Sequence, residues 1–350
     1  MSSAPYLSVC IPTYNRPAKL RQLVEALLAQ LTSECELVIL DNCSEPDAGE
    51  GLQDLLVDFK VCPVRVIRNA ANVGGNANIL RCFEMAQGEW VWVTGDDDLP
   101  ENHAVASLLA ESRSNSEAVF INFASNILDL RGPLREKTVR AEGLAGLIEA
   151  VDNFSNLLFV SAGIYRRKVL IGHLRQAYAY IDTCGPHLAL VFLSLLNNGG
   201  ITLLSHRRTI HCEISHEGGK WDPHVVHKKL QHLLDLISSV ELRETWFRKV
   251  KLSCPPPQRT FLSLFKYLVS QKGNLESIRD QLELASYLAS MVPSYRWRAG
   301  GIWLTAYMTS ILWPPFYLAW SMIPNDHAAS LANYGKESDF MRRFLDDNRV

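Results

Sequence analysis

No two cysteines of this sequence stand in a C-x-x-C pair. The eight of them, at 10, 35, 43, 62, 82, 184, 212 and 254, are scattered through apolar stretches, which suits buried free thiols in a reducing compartment rather than a zinc site or a disulfide framework. Neither sign of charge dominates. With 35 Lys and Arg against 37 Asp and Glu, a formal net charge of -2, there is no electrostatic case for a nucleic-acid partner. The opening "MSSAPYLSVCIPTYNR" lacks the charged start and long apolar run of an export signal, so a cytoplasmic location is expected. The common phosphate-gripping loops are missing too. No G-x-x-x-x-G-K-[ST] occurs, and "PTYNRP" stands where a G-x-G-x-x-G would follow the first strand, which excludes nucleotide sites of the ATPase and dehydrogenase types. Internal repeats and low-complexity tracts are absent as well.

What is present is a globular composition, 47% hydrophobic and 21% charged over 350 residues, enough for one large or two modest domains. "LSVCIP" at 7–12 reads as a buried strand. Leu20, Leu23, Val24, Leu27, Leu28 and Leu31 then fall at helical spacing behind Pro17, and "ELVILD" is a second strand ending at Asp41. Strand, helix, strand within about 35 residues is a crossover unit, and such units build parallel sheets. The pattern continues through "VRVI" at 64–67, a helix over about 76–86, "EWVWV" at 89–93, a helix beginning near Pro100, and "AVFINF" at 118–123. An α/β fold with an open, doubly wound, mostly parallel sheet is expected. After residue 220 the pattern is mainly helical, with "CPPPQ" at 254–258 as a boundary.

Ligands of such sheets bind at the carboxyl ends of the strands, and the polar residues gather there. Thr13, Tyr14, Asn15 and Arg16 follow the first strand; Asp41, Asn42 and Ser44 the second; Arg68, Asn69 and Asn72 the third; Asp96, Asp97 and Asp98 the fourth. Three adjacent carboxylates repel one another. They suit either a solvated turn ahead of a helix or a hard divalent cation such as Mg2+ or Mn2+. With both glycine-rich loops excluded, a sheet that holds a nucleotide through side chains and its diphosphate through a metal ion fits the acids.

The stretches "LSVCIPTYNRPAKLRQLV", "LVILDNCS", "RNAANVGGNANI" and "WVTGDDDLP" resemble the nucleotide-binding half of family 2 glycosyltransferases of the GT-A fold, over roughly residues 5–125. That resemblance implies a GT-A, Rossmann-like fold and transfer of a sugar, with inversion, from a nucleotide-diphosphate donor. It places Pro12 and Tyr14 beside the nucleobase, with Thr13, Asn15 and Arg68 in the same nucleotide site. Asp41 would accept a hydrogen bond from the base, and the loop holding Asn72, Gly74 and Asn78 would grip base and ribose. The acids match the family's D-x-D motif, with Asp96 and Asp97 toward the sugar nucleotide and Asp96 with Asp98 as the ligands of Mn2+ or Mg2+. The sequence departs from the family in one respect: the E-D pair that supplies the general base is missing from "YIDTCGPHLALVF". Asp182 and His187 are the candidates for that role.

Two further stretches carry expectations. "HCEISHEGGKW" at 211–221 has the composition of a mobile lid, with His211 or His216 near the metal. From Ala299 to Pro324 no residue is charged, but Pro314 and Pro315 interrupt the run, and Trp303, Trp313 and Trp320 are interfacial residues. A helical pair lying on or re-entering the membrane is expected, which puts the protein at the inner face of the cell membrane. Residues 1–220 are then the transferase domain, with an acceptor half at about 126–220, and 221–350 a mainly helical region. The expected acceptor is a glycan or a polyprenyl-linked saccharide of cell-surface polysaccharide assembly. The competing readings are a nucleotidyltransferase, for which Arg16 and Lys19 are a poor substitute for a Gly/Lys-rich loop, and an inactive sugar-nucleotide-binding or scaffold protein of the same fold, suggested by the missing pair.

Overall fold

The computed structural model describes residues 4–131, 135–212, 229–253 and 275–304. β1 (Leu7–Thr13) runs into α1 (Pro17–Leu28) and returns as β2 (Cys35–Asp41); α2 (Gln53–Leu56), β3 (Val64–Arg68), α3 (Gly75–Met85) and β4 (Trp90–Val93) follow. Next come β5 (Leu99–Pro100), α4 (Ala104–Ser114), β6 (Ala118–Ser125), α5 (Asn126–Arg131), β7 (Val139–Glu142), α6 (Gly143–Ala150) and α7 (Phe154–Leu158). The series ends with β8 (Gly163–Arg166), α8 (Arg167–Leu170), α9 (Leu174–Ala177), α10 (Pro186–Asn198), β9 (Ile201–His211), α11 (Val240–Ser253) and α12 (Leu275–Met291).

The nine strands form one sheet in the order β3-β2-β1-β4-β8-β6-β9-β5, with β7 on β9. β1, β2, β3 and β4 are parallel neighbours. Helices cover both faces here, so every residue of β2, and all of β1 but the half-buried Pro12, is buried. Even Glu36 is enclosed; its carboxylate accepts from Ser8 Oγ at 2.5 Å and pairs with Arg65 at 2.8 Å, which offsets the cost of burying the charge. α1 forms because its apolar positions recur at helical spacing and Pro17 occupies its first turn. It buries Leu20, Leu23, Val24 and Leu27, each stabilising by about 1.5–3 kcal/mol relative to exposure.

Beyond β4 the sheet departs from the expected series of crossovers. The strand at 118–125 does not lie beside β4. The four-residue β8 inserts between them, antiparallel to both, and is too short to carry a period of its own in the sequence. Pro100 does not open a helix; it pairs within β5 against Ile210, and α4 starts at Ala104. "ITLLSH" is the first half of an 11-residue strand, β9.

The chain divides into two units. The first holds residues 1–238 and 245–254, including the sheet. Within it Trp246 packs edge-on against Phe154 and Phe192 at 4.6 and 5.1 Å between ring centres. The second unit, residues 239–244 and 255–350, contains α12 and a helical stretch at 296–304. There Leu282, Ala285, Leu288 and Val292 are buried at helical spacing, as are Tyr295, Ala299 and Ile302. Among the described residues no helix is long and apolar enough to cross a membrane. The segment expected at the membrane lies outside the described residues from 305 on, and the expected lid does so from 213 to 221.

Candidate active site

Parallel register brings three strand ends into one row: Thr13 lies opposite Asp41, and Asp41 opposite Arg68. With the order β3-β2-β1-β4, strand succession reverses between β1 and β4, which is where a ligand cleft opens in such sheets. The acidic corner spans that point. Thr13 Oγ1 donates to Asp96 Oδ2 at 2.7 Å, and Arg16 Nη1 donates to Asp96 Oδ1 at 3.0 Å and to Asp97 Oδ2 at 2.7 Å. One guanidinium thus answers two of the three carboxylates.

Asp98 takes a different direction. Its Oδ2 accepts from Ser161 Oγ at 2.6 Å, and Ser161 Oγ accepts from Gly95 N–H at 2.8 Å. The carboxylate is buried, and burial pushes its pKa up to about 7. Burial also raises the Asp96 pKa, against the lowering effect of the Thr13 hydrogen bond and the Arg16 charge. For Arg16, burial pulls the pKa down, but Asp96 and Asp97 outweigh it and the net shift is upward. The expected metal pair, Asp96 with Asp98, has two sets of partners: Asp96 shares Arg16 with Asp97, and Asp98 takes Ser161. Asp96 and Asp98 are both buried, whereas the Asp97 side chain is 29% exposed. Arg16 neutralises part of the negative charge of Asp96 and Asp97. Among the described residues no group of three or more His, Cys, Asp or Glu forms a metal cage. Two carboxylates, completed by phosphate oxygens and water, are the donor set with which Mg2+ is usually held. The residues fit a divalent ion on those terms.

The second and third strand ends hold the loops of the cleft. Asp41 is fully buried; its Oδ1 accepts from Ser44 N–H at 2.8 Å, and its Oδ2 from Ala48 N–H at 3.4 Å and Arg68 Nη1 at 2.9 Å. The expected hydrogen bond to a base thus meets a carboxylate already occupied in folding its own loop. Asn78 is likewise enclosed, donating to Leu40 O and accepting from Asn69. Exposed residues rim the cleft: Tyr14, Asn15, Arg68, Asn72 and Gly74. Asn15 has φ 53 and Gly74 φ 85; the asparagine is held there because Ser44 Oγ accepts from its N–H and its own Oδ1 accepts from Glu45 N–H. Asn72 Oδ1 accepts from Asn42 Nδ2 and from Gly74 N–H, fixing the bend ahead of α3.

The candidate bases separate. His187 is 1% exposed within α10, its ring edge-on to Tyr165 at 6.2 Å, and burial lowers its pKa to about 4. It faces the core rather than solvent. Asp182 is exposed in the turn before α10, and that turn reaches the cleft rim because Asn76 Nδ2 donates to Ile181 O at 2.6 Å and to Thr183 O at 2.7 Å. His211, at the end of β9, stands opposite Leu99, just past the acids. Ser161 and Asn76 escaped the sequence reading. Ser161 lies in none of the quoted motifs; Asn76 lies within "RNAANVGGNANI", but its contact with the turn at 181–183 is visible only in the tertiary structure.

Comparison with known proteins adds to this geometry. Residues 8–170 match the model of "Glycosyl transferase family 2". The abequosyltransferase RfbV of Salmonella typhimurium is 28% identical over 134 residues, 37% of this chain, and the match spans only 40% of that protein's length. Residues 1–349 of S. aureus TarS, in complex with UDP-GlcNAc, superpose with a TM-score of 0.56 at 15% identity, over 97% of this chain and 92% of that one. The mannosyltransferase PcManGT of Pyrobaculum calidifontis, in complex with GDP-Man and Mn2+, gives a TM-score of 0.51 at 13% identity, over 88% and 87%. At such identities the likeness is one of fold, the GT-A fold.

Proposed function

We propose, on the match of residues 8–170 to the model of glycosyl transferase family 2, that the protein is a metal-dependent glycosyltransferase of cell-surface polysaccharide assembly. It moves a sugar from a nucleotide-diphosphate donor to a glycan or polyprenyl-linked saccharide, with inversion. The observation that carries this reading is the acidic corner at the point where strand order reverses, held by Thr13 and Arg16. The donors in the two related structures, UDP-GlcNAc and GDP-Man, support a sugar nucleotide as the ligand. A relative named as an abequosyltransferase supports transfer of a sugar.

In this reading Tyr14, Asn72 and Gly74 border base and ribose, while Asp41, Arg68 and Asn78 hold the loops that present them. Asp96 and Asp97 would hold Mn2+ or Mg2+, which would supply positive charge to offset that developing on the diphosphate. Asp98, with Ser161, keeps the turn rigid beneath them. Asp182 accepts the proton of the acceptor hydroxyl as its oxygen bonds to the anomeric carbon. The bond from that carbon to the diphosphate breaks with its electron pair on the departing nucleotide. Peripheral membrane contact through the C-terminal region belongs to the same proposal.

The test is a panel of nucleotide sugars scored by thermal shift with and without Mn2+, followed by donor hydrolysis on the best of them. Asp97→Ala is expected to lower Mn2+-dependent turnover by ~100-fold or more while leaving the melting temperature of the free protein within about 2 °C. A nucleotide sugar that binds without being turned over by the unaltered protein favours an inactive binding protein and defeats the enzyme reading.

A further inference from the structure

We propose that Asn76 is the positioning residue that carries Asp182 to the donor cleft. This rests on the assignment of Asp182 as the base made above. A single amide nitrogen, Asn76 Nδ2, donates to Ile181 O at 2.6 Å and to Thr183 O at 2.7 Å. These are the carbonyls on either side of Asp182, 105 and 107 residues away in sequence. Both N–H bonds of the amide are used, so the turn is fixed in orientation as well as in distance.

Both ends of this clamp are rigid. On the α3 side, Asn76 lies between two anchors: Asn72, whose Oδ1 takes Asn42 Nδ2 and Gly74 N–H, and Asn78, whose Nδ2 reaches Leu40 O at 3.0 Å. On the other side, Thr183 closes its own turn by donating from Oγ1 to Tyr180 O at 2.6 Å and from N–H to the same oxygen at 3.0 Å. Asp182 projects from this braced turn and is exposed, whereas Thr183 is buried. A general base acts only within hydrogen-bond reach of the proton it takes, and a misplacement of about 1 Å can lower the rate by about 100-fold. The residue type also matters. A Lys or Arg at 76 would offer its charge to the neighbouring carboxylate and lower its basicity, whereas a neutral amide holds the flanking carbonyls and leaves Asp182 free to accept.

The experiment measures hydrolysis of the nucleotide sugar selected by the thermal-shift panel, with Mn2+, for Asn76→Ala and the isosteric Asn76→Asp, each alone and combined with Asp182→Asn. Either single substitution at 76 is expected to lower kcat by about 10–100-fold with donor KM changed less than about 2-fold. In the Asp182→Asn background, adding either should change the residual rate less than about 2-fold. Thr183→Ala, which loosens the turn from its own side, should reproduce the fall in kcat, and it decides the matter should the variants at 76 fail to fold. Equal losses in both backgrounds, or a raised KM at constant kcat, overturn the inference, since Asn76 would then act on the donor or the fold. If Asp182→Asn retains full turnover, the base assignment fails and the inference with it. If Asp182→Asn is inactive while the variants at 76 and 183 turn over normally, the inference alone fails.

Discussion

A histidine whose pKa is pushed down to about 4 is neutral near pH 7, and burial of the His187 ring is the cause. The consequence is a pH dependence of stability. In the unfolded chain the ring titrates near 6.5, so between pH 6.5 and about 4 the unfolded state binds the extra proton, and stability falls as pH falls. Asp98 acts in the opposite sense. Its carboxyl is pushed up to about 7 by burial, so the folded state binds the extra proton between about pH 4 and 7 and stability falls as pH rises. A variant at one residue leaves the other's contribution in place. His187→Phe is therefore expected to make the unfolding free energy at pH 5, relative to that at pH 7, more favourable by about 2 kcal/mol than in the unaltered protein; urea unfolding of both proteins at the two pH values checks it. An unchanged difference would mean that the ring takes up its proton inside the fold.

At the scale of elements, the turn between β4 and β5 is the part on which the site depends. A Cβ added to Gly95 would stand 2.7 Å from Asp98 Oδ2 and 3.2 Å from Asp97 Oδ1, so the turn closes this tightly only around glycine. Gly95→Ala must push the acids apart or break the Ser161 hydrogen bonds. The expected result is a loss of about 1–3 kcal/mol in stability together with loss of the Mn2+-dependent thermal shift on donor binding. Gly75, in the first turn of α3, has no atom within 4 Å of such a Cβ. Gly75→Ala should hold or raise stability by up to about 1 kcal/mol. Differential scanning calorimetry of the two variants separates close packing from a general intolerance of alanine.

At the scale of the whole molecule, the second unit carries the case for a membrane surface. Trp297 is 92% exposed and Leu304 58% exposed, with Arg296 beside the tryptophan. An aromatic ring next to a cationic side chain suits the headgroup region of anionic lipid. The full chain should float with phosphatidylglycerol vesicles in a density gradient, and salt should release it in part. Trp297→Ala should lower the bound fraction by about 2-fold or more. Equal flotation of the variant would exclude this surface.

The sequence by itself determined the parallel half of the sheet and the edge on which the site lies. Apolar runs of strand length alternating with Leu20, Leu23, Val24 and Leu27 at helical spacing admit little else, and turn-forming polar residues must then collect at the strand ends. Tertiary structure decided which polar groups face the cleft. Three adjacent aspartates are equivalent along a chain, but Ser161 takes Asp98 from 63 residues away while Arg16 binds Asp96 and Asp97, of which only Asp97 keeps a partly exposed side chain. In the same way Asp182 and His187 stand five positions apart in sequence. A clamp from Asn76 holds the turn of the first at the rim, and packing against Tyr165 encloses the second. Periodicity records which face of an element is apolar. The partner of an individual hydrogen bond depends on which distant segment the folded chain brings within about 3 Å.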